Sequence, residues 1–231
     1  SLGRLRLFLH GDAVLTQALY LHLHRHVEEI RAGVGDAVLD RSDAPYRSLT
    51  LEPAGFAEDQ SLLPYPPASH PAFRLLQEYF SLPEKFLFVD LVGLDGLATV
   101  PGSDRIVIDV RFDRSLPPTL RPSKDNVRLY CAPIVNLFEH EGDPLRIDRS
   151  QTDYRVRPSG SNPFHYEVFS IDRVQAFAPG VSEPREVPDF YGFTHGLGRP
   201  PATYYFPNLR PSVVDDRVDA YVSFVDQSRA D

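Results

Sequence analysis

The densest run of apolar residues, between Pro71 and Leu91, predicts a helix followed directly by a strand. Pro71 fits the first helical position, where no amide is needed, and Pro83 ends the helical pattern. Within the helix, apolar side chains spaced three, four and seven positions apart share one wide stripe, which we expect to be buried. The members of this stripe are Phe73, Leu75, Leu76, Tyr79 and Phe80.

The strand that follows is apolar on both faces. Phe86 and Phe88 point to one side, and the residues at 87, 89 and 91 point to the other. Such a pattern is typical of a central strand covered on both sides, where both faces are buried. We therefore interpret this stretch as scaffold, because a catalytic motif would need a polar group directed at a substrate.

Further patterns in the first half predict a β-rich arrangement around these elements. In residues 4–9 leucine alternates with arginine or phenylalanine, which predicts a strand with Leu5, Leu7 and Leu9 facing inward. Asp12 can cap a helix whose apolar period continues from Ala13 to Ile30. The remaining predictions are weak strands at 34–39 and 48–53, a proline-rich connection at 55–70 ordered by docking, a half-exposed strand at 105–113, one helical turn at 123–126 and an extended apolar run at 130–138.

From Pro144 the chain changes to short strands separated by Pro, Gly, Ser and Asp turns, which is typical of a sandwich or barrel. The predicted strands are 145–148, 154–157, 166–171, 173–177, 203–206 and 218–224. We predict an α+β, β-rich fold with mixed sheets, two helices in the N-terminal half and a β-sandwich-like C-terminal half. The predicted domains are 1–143 and 144–231, either separate or intertwined as one unit.

Composition and charge narrow the class of protein. In 231 residues, 42% are hydrophobic and 24% are charged, as in globular proteins, and 22 prolines indicate many turns. The net charge of −8 argues against binding to nucleic acid or to an anionic membrane surface, both of which need a basic patch. A single cysteine fits a reducing cytoplasm, and no apolar run reaches the roughly 20 residues of a membrane-spanning helix. A first strand so near residue 1, without an initiating methionine, suggests a piece of a longer protein.

Three histidines form the first candidate metal site. On a helix His22 and His26 share a face at a spacing that can hold zinc, whereas His24 projects roughly the opposite way. No HExxH pattern, Cys-x-x-Cys pair or third nearby ligand accompanies them. An amphipathic helix surface with His22 partly buried is therefore favoured over a metal site.

The segment Glu139–Asp143 is a second candidate, since it carries carboxylates and an imidazole in five residues. It could supply a general acid and base only if the fold gathered these groups around a substrate, and acidic turn residues are the plainer interpretation. Cys131 lies in an apolar run and is expected to be buried and inert. His195, in a glycine-rich loop, could face a ligand but is favoured as a turn residue.

The motifs of common enzymes are absent from the sequence: it has no nucleophile elbow, no phosphate-binding Gly-Lys-Ser/Thr loop and no dinucleotide fingerprint. We therefore predict no enzyme, and assign no catalytic, cofactor-binding or metal residue. The alternatives are a metal-dependent hydrolase using His22 and His26 or Glu139–Asp143, and a carbohydrate-binding module. The latter would use loop aromatics, which could equally anchor a protein partner or fill a core: Tyr191, Phe193, Tyr204, Tyr205 and Phe206.

Four blocks of sequence, in a consistent order between residues 5 and 226, point to a known family. They are LRLFLHGD at 5–12, LPYPPASHPAFRLLQEYFSLPEKFLFVDLVGL at 63–94, NLFEHEGDPLRID at 136–148 and YEVFSIDRVQAF at 166–177. The chain resembles the TssF family, a baseplate subunit of the bacterial type VI secretion system. We take the matching blocks as mainly fold-determining.

The resemblance implies a structural, non-enzymatic role. Members of the family build the wedges of the cytoplasmic baseplate that nucleates the contractile tail, at the cytoplasmic face of the inner membrane. The implied partners are TssG, TssK, TssE and a second TssF copy, and indirectly the spike and sheath. The family's chain is much longer, so the resemblance also implies missing segments on both sides of this sequence.

Overall fold

The computed structural model describes residues 3–34, 46–65, 69–95, 97, 105–148, 150–160, 162, 165–192, 203–213 and 215–226. Each pair of named strands is antiparallel, and the predicted α+β, β-rich fold is confirmed. The helices are α1 (Ala13–Arg25) and α2 (Pro71–Ser81). The strands are β1 (Arg4–Leu9), β2 (Val27–Val34), β3 (Arg47–Ser48), β4 (Thr50–Pro53), β5 (Phe88–Val92), β6 (Ile106–Phe112), β7 (Val127–Arg128), β8 (Asp153–Val156), β9 (Val174–Ala176), β10 (Arg185–Val187), β11 (Thr203–Pro211) and β12 (Val218–Asp226).

The chain groups into two compact units, Ser1–Val135 and Asn136–Asp231. Backbone pairing begins early in the second unit, where Gly142 bridges Pro158 and the Asp143 amide donates to the Arg157 carbonyl at 2.8 Å. Compactness does not establish that a unit folds alone. The division into domains at residues 143 and 144 therefore stays a prediction.

The predicted central strand lies in the first unit as β5, in a sheet of order β4-β5-β1-β7. It begins at Phe88, later than predicted, because Pro83–Leu87 forms a 3₁₀ turn that takes up Phe86. Phe86 and Phe88 are nevertheless both buried, as expected. The otherwise apolar strand contains one buried carboxylate, Asp90, which accepts two 2.8 Å hydrogen bonds from the Arg6 guanidinium on β1.

A second sheet, of order β3-β2-β6, shares a core with the first. Leu5 and Leu7 pack against this core, so the predicted inward face of β1 is confirmed. On β6, Ile108 and Val110 also pack there, whereas the end residue Phe112 is exposed. The buried members of the core are Ile30, Ala32, Leu49, Leu91 and Leu94.

The helix predicted from Ala13 to Ile30 is shorter than expected. Asp12 does cap it, accepting from the Leu15 amide at 3.0 Å, but the helix ends at Arg25 and His26. The next eight residues form β2, where Ile30 pairs with Val110 and is buried in the core. Valine and isoleucine favour strands, and here sheet pairing outweighs an apolar spacing that also fits a helix.

Shorter predictions in the first unit have mixed outcomes. The weak strand at 48–53 is present as parts of β3 and β4, whereas Val34 ends β2 and 35–39 lie outside the described residues. The helical turn at 123–126 is confirmed as a 3₁₀ turn, Lys124–Asn126, capped by Ser123. Asn126 fixes this turn to β1, because its side-chain amide donates to the His10 carbonyl at 2.8 Å.

The second unit contains the sheets β11-β12-β8 and β9-β10, which confirms the strands predicted near 154, 173, 203 and 218. The strands predicted at 145–148 and 166–171 are wrong, since both segments lack strand pairing and are mostly exposed. Strand β10, with two charged residues among three, was not predicted. The two sheets contribute to one core of Tyr154, Val187, Tyr205 and Val222.

Strand β11 extends beyond its prediction in spite of Pro207 and Pro211. The Tyr205 amide donates to the Pro188 carbonyl at 3.0 Å, away from β12, so alternate residues of β11 face the outer edge. Both prolines fall on this edge, where a missing N–H leaves the pairing with β12 intact.

No helix in the described ranges is long and apolar enough to cross a membrane.

Candidate interaction surface

Helix α2 presents its apolar stripe to the outside. Phe73, Leu76 and Phe80 are 69%, 55% and 81% exposed, and Tyr79 beside them is 49% exposed. The prediction that this stripe is buried is therefore wrong. The periodicity itself is correct, because these side chains do share one face of a regular helix. We call Phe73, Leu76 and Phe80 the α2 stripe.

The buried face of α2 is charged. Arg74 and Glu78, four positions apart, are both almost fully buried. The Arg74 guanidinium donates to the carbonyl oxygens of Phe56 at 3.2 Å and Ala57 at 3.3 Å. These contacts tie the helix to the start of the proline-rich connection that precedes it.

Glu78 has the larger set of partners. Its Oε1 accepts from the amides of Leu62 at 2.7 Å and Leu63 at 3.1 Å, and its Oε2 accepts from the Lys85 ammonium. The Glu78 and Lys85 side chains are each 1% exposed. Side chains of α2 thus hold the described part of the connection at 55–70, as the prediction of order by docking expects. The connection also makes hydrogen bonds of its own, in the 3₁₀ turn Glu58–Gln60 and from the Gly55 amide to Gln60, which the prediction did not expect.

The ionised form of Glu78 is favoured despite its burial. Burial by itself raises the pKa of this carboxyl group, because a charge is poorly solvated inside the protein. The hydrogen bond from Lys85, the two backbone amides and the charge of Lys85 act in the opposite direction, and the pKa lies below its ordinary value. The ion pair between Glu78 and Lys85 therefore holds the buried face of α2 in place.

Aromatic rings extend the exposed surface beyond the α2 stripe. The Phe86 ring lies 5.0 Å from that of Phe56 and 5.8 Å from that of Tyr79, and Tyr79 contacts Phe80 at 5.7 Å. Phe56 is itself exposed. Between residues 71 and 87 the one exposed charged residue is Glu84. Such a surface suits packing against another apolar element better than an ionic contact.

The apolar run predicted to be extended at 130–138 also carries exposed side chains. It begins in the first unit, where Tyr130 is 100% exposed with φ 60° and Ile134 is 82% exposed. Cys131 is partly exposed, so the expectation of a buried thiol is wrong. Within the described residues the segment Leu129–Val135 has no strand pairing that would order these side chains against the sheet.

His22 and His24 lie on α1 and His26 caps its C-terminus, and the ring nitrogens of His22 and His26 face protein groups of the same unit. His22 is buried, with Nδ1 3.0 Å from the Ala18 carbonyl and Nε2 3.4 Å from that of Ser115. The rings of His22 and His26 lie on the same side, as predicted, with their centroids 4.9 Å apart. The Nδ1 atom of His26, however, lies 3.0 Å from Asp113 Oδ1. His24 packs on Tyr20 instead, and burial lowers the pKa of its imidazole.

The segment Glu139–Asp143 is exposed, and it is held by its backbone and by one ring. The Glu141 carbonyl accepts from the Ser159 amide at 2.8 Å. The His140 ring stacks on Tyr166 at 4.9 Å, with Nε2 2.7 Å from the Ser159 carbonyl. Across the described part of the chain, no group of three or more His, Cys, Asp or Glu residues could hold a metal ion.

The loop aromatics divide between the two interpretations left open by the sequence. Tyr205 belongs to the core of the second unit, and Tyr204 is also buried. Phe206 is partly buried and stacks on Phe190 at 4.2 Å. Tyr191 is exposed. Phe193 and His195 lie outside the described residues.

Comparison with known proteins identifies the family. The family model for the type VI secretion system protein TssF matches residues 1–231. The chain belongs to the TssF family. Its sequence is 30% identical over 188 residues to the type VI secretion system component TssF1 of Pseudomonas aeruginosa, a match that covers 80% of this chain and 29% of TssF1.

A solved structure agrees with this TssF assignment. The chain superposes with a TM-score of 0.74 and 27% identity on a chain of the type VI secretion system TssK-TssF-TssG baseplate subcomplex, determined by cryo-electron microscopy. The match covers 96% of this chain and 41% of that chain. This TssF chain therefore spans less than half the length of either relative.

Sequence reasoning missed the charged residues that position the surface of this TssF chain. The sequence patterns singled out none of Arg74, Glu78 and Lys85. One signal was available, because Arg74 and Glu78 lie four positions apart on one face and Lys85 follows just after the helix. Their burial depends on the carbonyls and amides of residues 56–63, which local spacing does not specify.

Proposed function

We propose that this chain is part of a structural wedge subunit of the type VI secretion baseplate, which supports assembly of the contractile tail and is not an enzyme. The observation that carries the proposal is the match of nearly the whole chain to a chain of the TssK-TssF-TssG subcomplex, at a TM-score of 0.74. A fold shared over 96% of the chain, together with 27% identity, supports the same place in an assembly.

The proposed direct partners are TssG and TssK, which that subcomplex contains. The family resemblance extends the proposal to TssE, to a second TssF copy and, indirectly, to the spike and sheath. The proposed location is the cytoplasm, in a baseplate docked at the cytoplasmic face of the inner membrane. A net charge of −8 supports protein partners over nucleic acid.

The described surface supports assembly more than chemistry. The α2 stripe and Leu129–Val135 expose large apolar side chains, which are typical of surfaces that another protein element covers. The two clusters considered for a hydrolase, on α1 and at Glu139–Asp143, are engaged in local hydrogen bonds or spread along an exposed segment. No observation favours the hydrolase.

The test is co-purification of the tagged full-length parent protein with TssG and TssK from the same cells, followed by native mass measurement. We expect a stable complex with two TssF copies for each TssG. Failure to associate when both partners are independently folded would contradict the proposal. As a control for chemistry, a Glu141→Gln, Asp143→Asn parent protein should secrete normally, whereas a secretion defect with an intact complex would reopen the hydrolase interpretation.

A further inference from the structure

The polarity of α2 is the reverse of that of an ordinary surface helix. Its buried face carries Arg74 and Glu78, and its exposed face carries Phe73, Leu76 and Phe80. Helices on a water-facing surface normally bury the apolar stripe and expose the charges. An exposed apolar stripe of this kind marks a site that another element covers.

The orientation of α2 is fixed by its buried contacts. Glu78 is held by Lys85 and by the amides of Leu62 and Leu63, and Arg74 is held by two backbone carbonyls. Rotating the helix to bury the stripe would expose all of these donors and acceptors and break the buried ion pair. The described residues of the chain therefore leave the stripe facing outward.

The spacing of the stripe fits a helix as the cover. Phe73, Leu76 and Phe80 follow an i, i+3, i+7 pattern, which is the a and d spacing of a helix–helix seam. Helix α2 has 11 residues, and a rise of about 1.5 Å for each residue makes it roughly 16 Å long, enough to pack along about three turns of a second helix. Glu84 is the one exposed charged residue at 71–87, so recognition along the seam rests on apolar packing.

We propose that the α2 stripe is covered by an amphipathic helix supplied by the rest of the same TssF polypeptide, outside residues 1–231. The chain covers 29% of TssF1 and 41% of the matched solved chain, so most of a polypeptide of that length lies outside this stretch. A tethered helix reaches the stripe at a high effective concentration, before any partner binds. The inference rests on family membership and not on the proposed baseplate role.

The composition of the surface favours this internal cover over a dissociable partner. Interfaces between chains that associate and separate are on the whole no more apolar than ordinary protein surface, and they carry polar rims. The region around the α2 stripe instead joins Phe56, Tyr79 and Phe80 to the ring of the buried Phe86. Large apolar side chains joined in this way resemble a permanent interface, which is like the interior of a domain cut open.

Cysteine labelling of the full-length parent protein tests the inference. All native cysteines of the parent are first replaced, including Cys131 by serine (Cys131→Ser). In this background a Phe80→Cys variant reports on the α2 stripe, and a Glu84→Cys variant is the matched exposed control. We expect the parent, purified alone, to react with maleimide at least about tenfold more slowly at position 80 than at position 84, with equal rates in denaturing urea. Adding TssG should leave the rate at position 80 unchanged.

Three results would overturn the inference. Equal labelling at both positions in the parent alone would show an uncovered stripe. Slowing that requires TssG would assign the stripe to that partner, and slowing that depends on protein concentration would assign it to a second copy. Because co-purification with TssG and TssK is scored separately, loss of the baseplate role and loss of this internal contact are distinguishable.

A photocrosslinker at position 80 gives a second readout that retains an aromatic side chain. Phe80→p-benzoylphenylalanine in the full-length parent should yield crosslinks within one polypeptide, to peptides outside residues 1–231. Crosslinks to another chain, or none in folded protein, would contradict the inference. Circular dichroism of each variant shows whether it is folded, so that loss of the contact to the α2 stripe is distinguished from a failure to fold.

Discussion

Removing the charge of Lys85 tests whether the buried ion pair holds α2 in place. The ammonium and the Glu78 carboxylate are each 1% exposed, so neither charge has water as an alternative partner. Lys85→Met keeps a similar volume and removes the donor. Glu78 would then keep its amide hydrogen bonds from Leu62 at 2.7 Å and Leu63 at 3.1 Å, but no positive charge.

Breaking a buried pair by removing one partner costs about 3 to 5 kcal/mol, since the remaining charge is buried without compensation. We expect Lys85→Met to fall near the lower end, about 3 kcal/mol, because two backbone amides still solvate Glu78. The double variant Glu78→Gln, Lys85→Met removes both charges and keeps an acceptor for these amides. Its free energy of unfolding should recover most of the loss, because replacing both charges is often nearly neutral.

Urea unfolding of the unsubstituted protein, the single variants Lys85→Met and Glu78→Gln, and the double variant measures this effect as a double-mutant cycle. The chain has no tryptophan and 11 tyrosines, so tyrosine fluorescence and circular dichroism are the suitable probes. Arg111→Ala is the matched control: its salt bridge to Glu28, at 2.7 Å, has both side chains about half exposed. An exposed pair contributes roughly 0.2 to 1 kcal/mol, so this control should stay below about 1 kcal/mol.

Two results would refute the reasoning. A loss for Lys85→Met no larger than that for Arg111→Ala would show that the ammonium reaches water and that α2 is not anchored by the pair. A double variant as unstable as the sum of the single variants would show that Glu78 and Lys85 do not interact.

Further predictions concern acid stability, packing and the turn before β7. The pKa of Glu78 in the folded protein lies below its ordinary value of 4.5. The ionised carboxylate therefore contributes stability above pH 4.5, and this stability is lost as the pH falls through the folded-state pKa. In an acid titration, Glu78→Gln should lose less stability than the unsubstituted protein. Phe88→Ala, in the buried centre of the first sheet, should cost about 3 to 5 kcal/mol in urea, and an effect as small as that of Arg111→Ala would mean that the strand faces are wrong. Asn126→Ala leaves the His10 carbonyl without its 2.8 Å donor and should cost roughly 1 to 3 kcal/mol by thermal unfolding; no change would show that water replaces the amide. Limited proteolysis that cuts first near residue 143 would support the predicted domain boundary, whereas cleavage within 144–231 would contradict it.

The elements that the sequence predicts well are those whose signal is local. In β1 leucine alternates with arginine or phenylalanine, β5 is apolar apart from Asp90, and the turn at 123–126 carries its own cap in Ser123. The residues themselves contain each of these signals. The core of the first unit accordingly includes Leu5, Leu7 and Leu91, as the pattern predicts, whereas Val187 in the core of the second unit comes from the unpredicted β10.

The errors arise where two arrangements satisfy the same local pattern. Val27 and Ile30 fit the apolar period of α1, whereas a regular strand would place them on opposite faces. In β2 a register shift between Val27 and Glu29 accompanies the packing of both side chains at the core, and the choice of strand over helix is made by pairing with β6, some 80 residues later. The segments at 145–148 and 166–171 alternate as strands do, but neither pairs with a strand among the described residues. Strand pairing depends on distant residues, so local alternation alone overpredicts strands in this second unit.

The inversion of α2 has a different cause, because its helical period was read correctly and only its inward side was wrong. Hydrophobic burial normally decides this side, since charges lose more on leaving water than apolar groups gain. Here Arg74 and Glu78 lose little, because four backbone groups and Lys85 replace the water around them. The apolar stripe is then free to face another element. A helix whose buried charges are held by groups of its own unit and whose apolar side chains are exposed is therefore evidence for a contact outside that unit, and the contact can be sought before the covering segment is known.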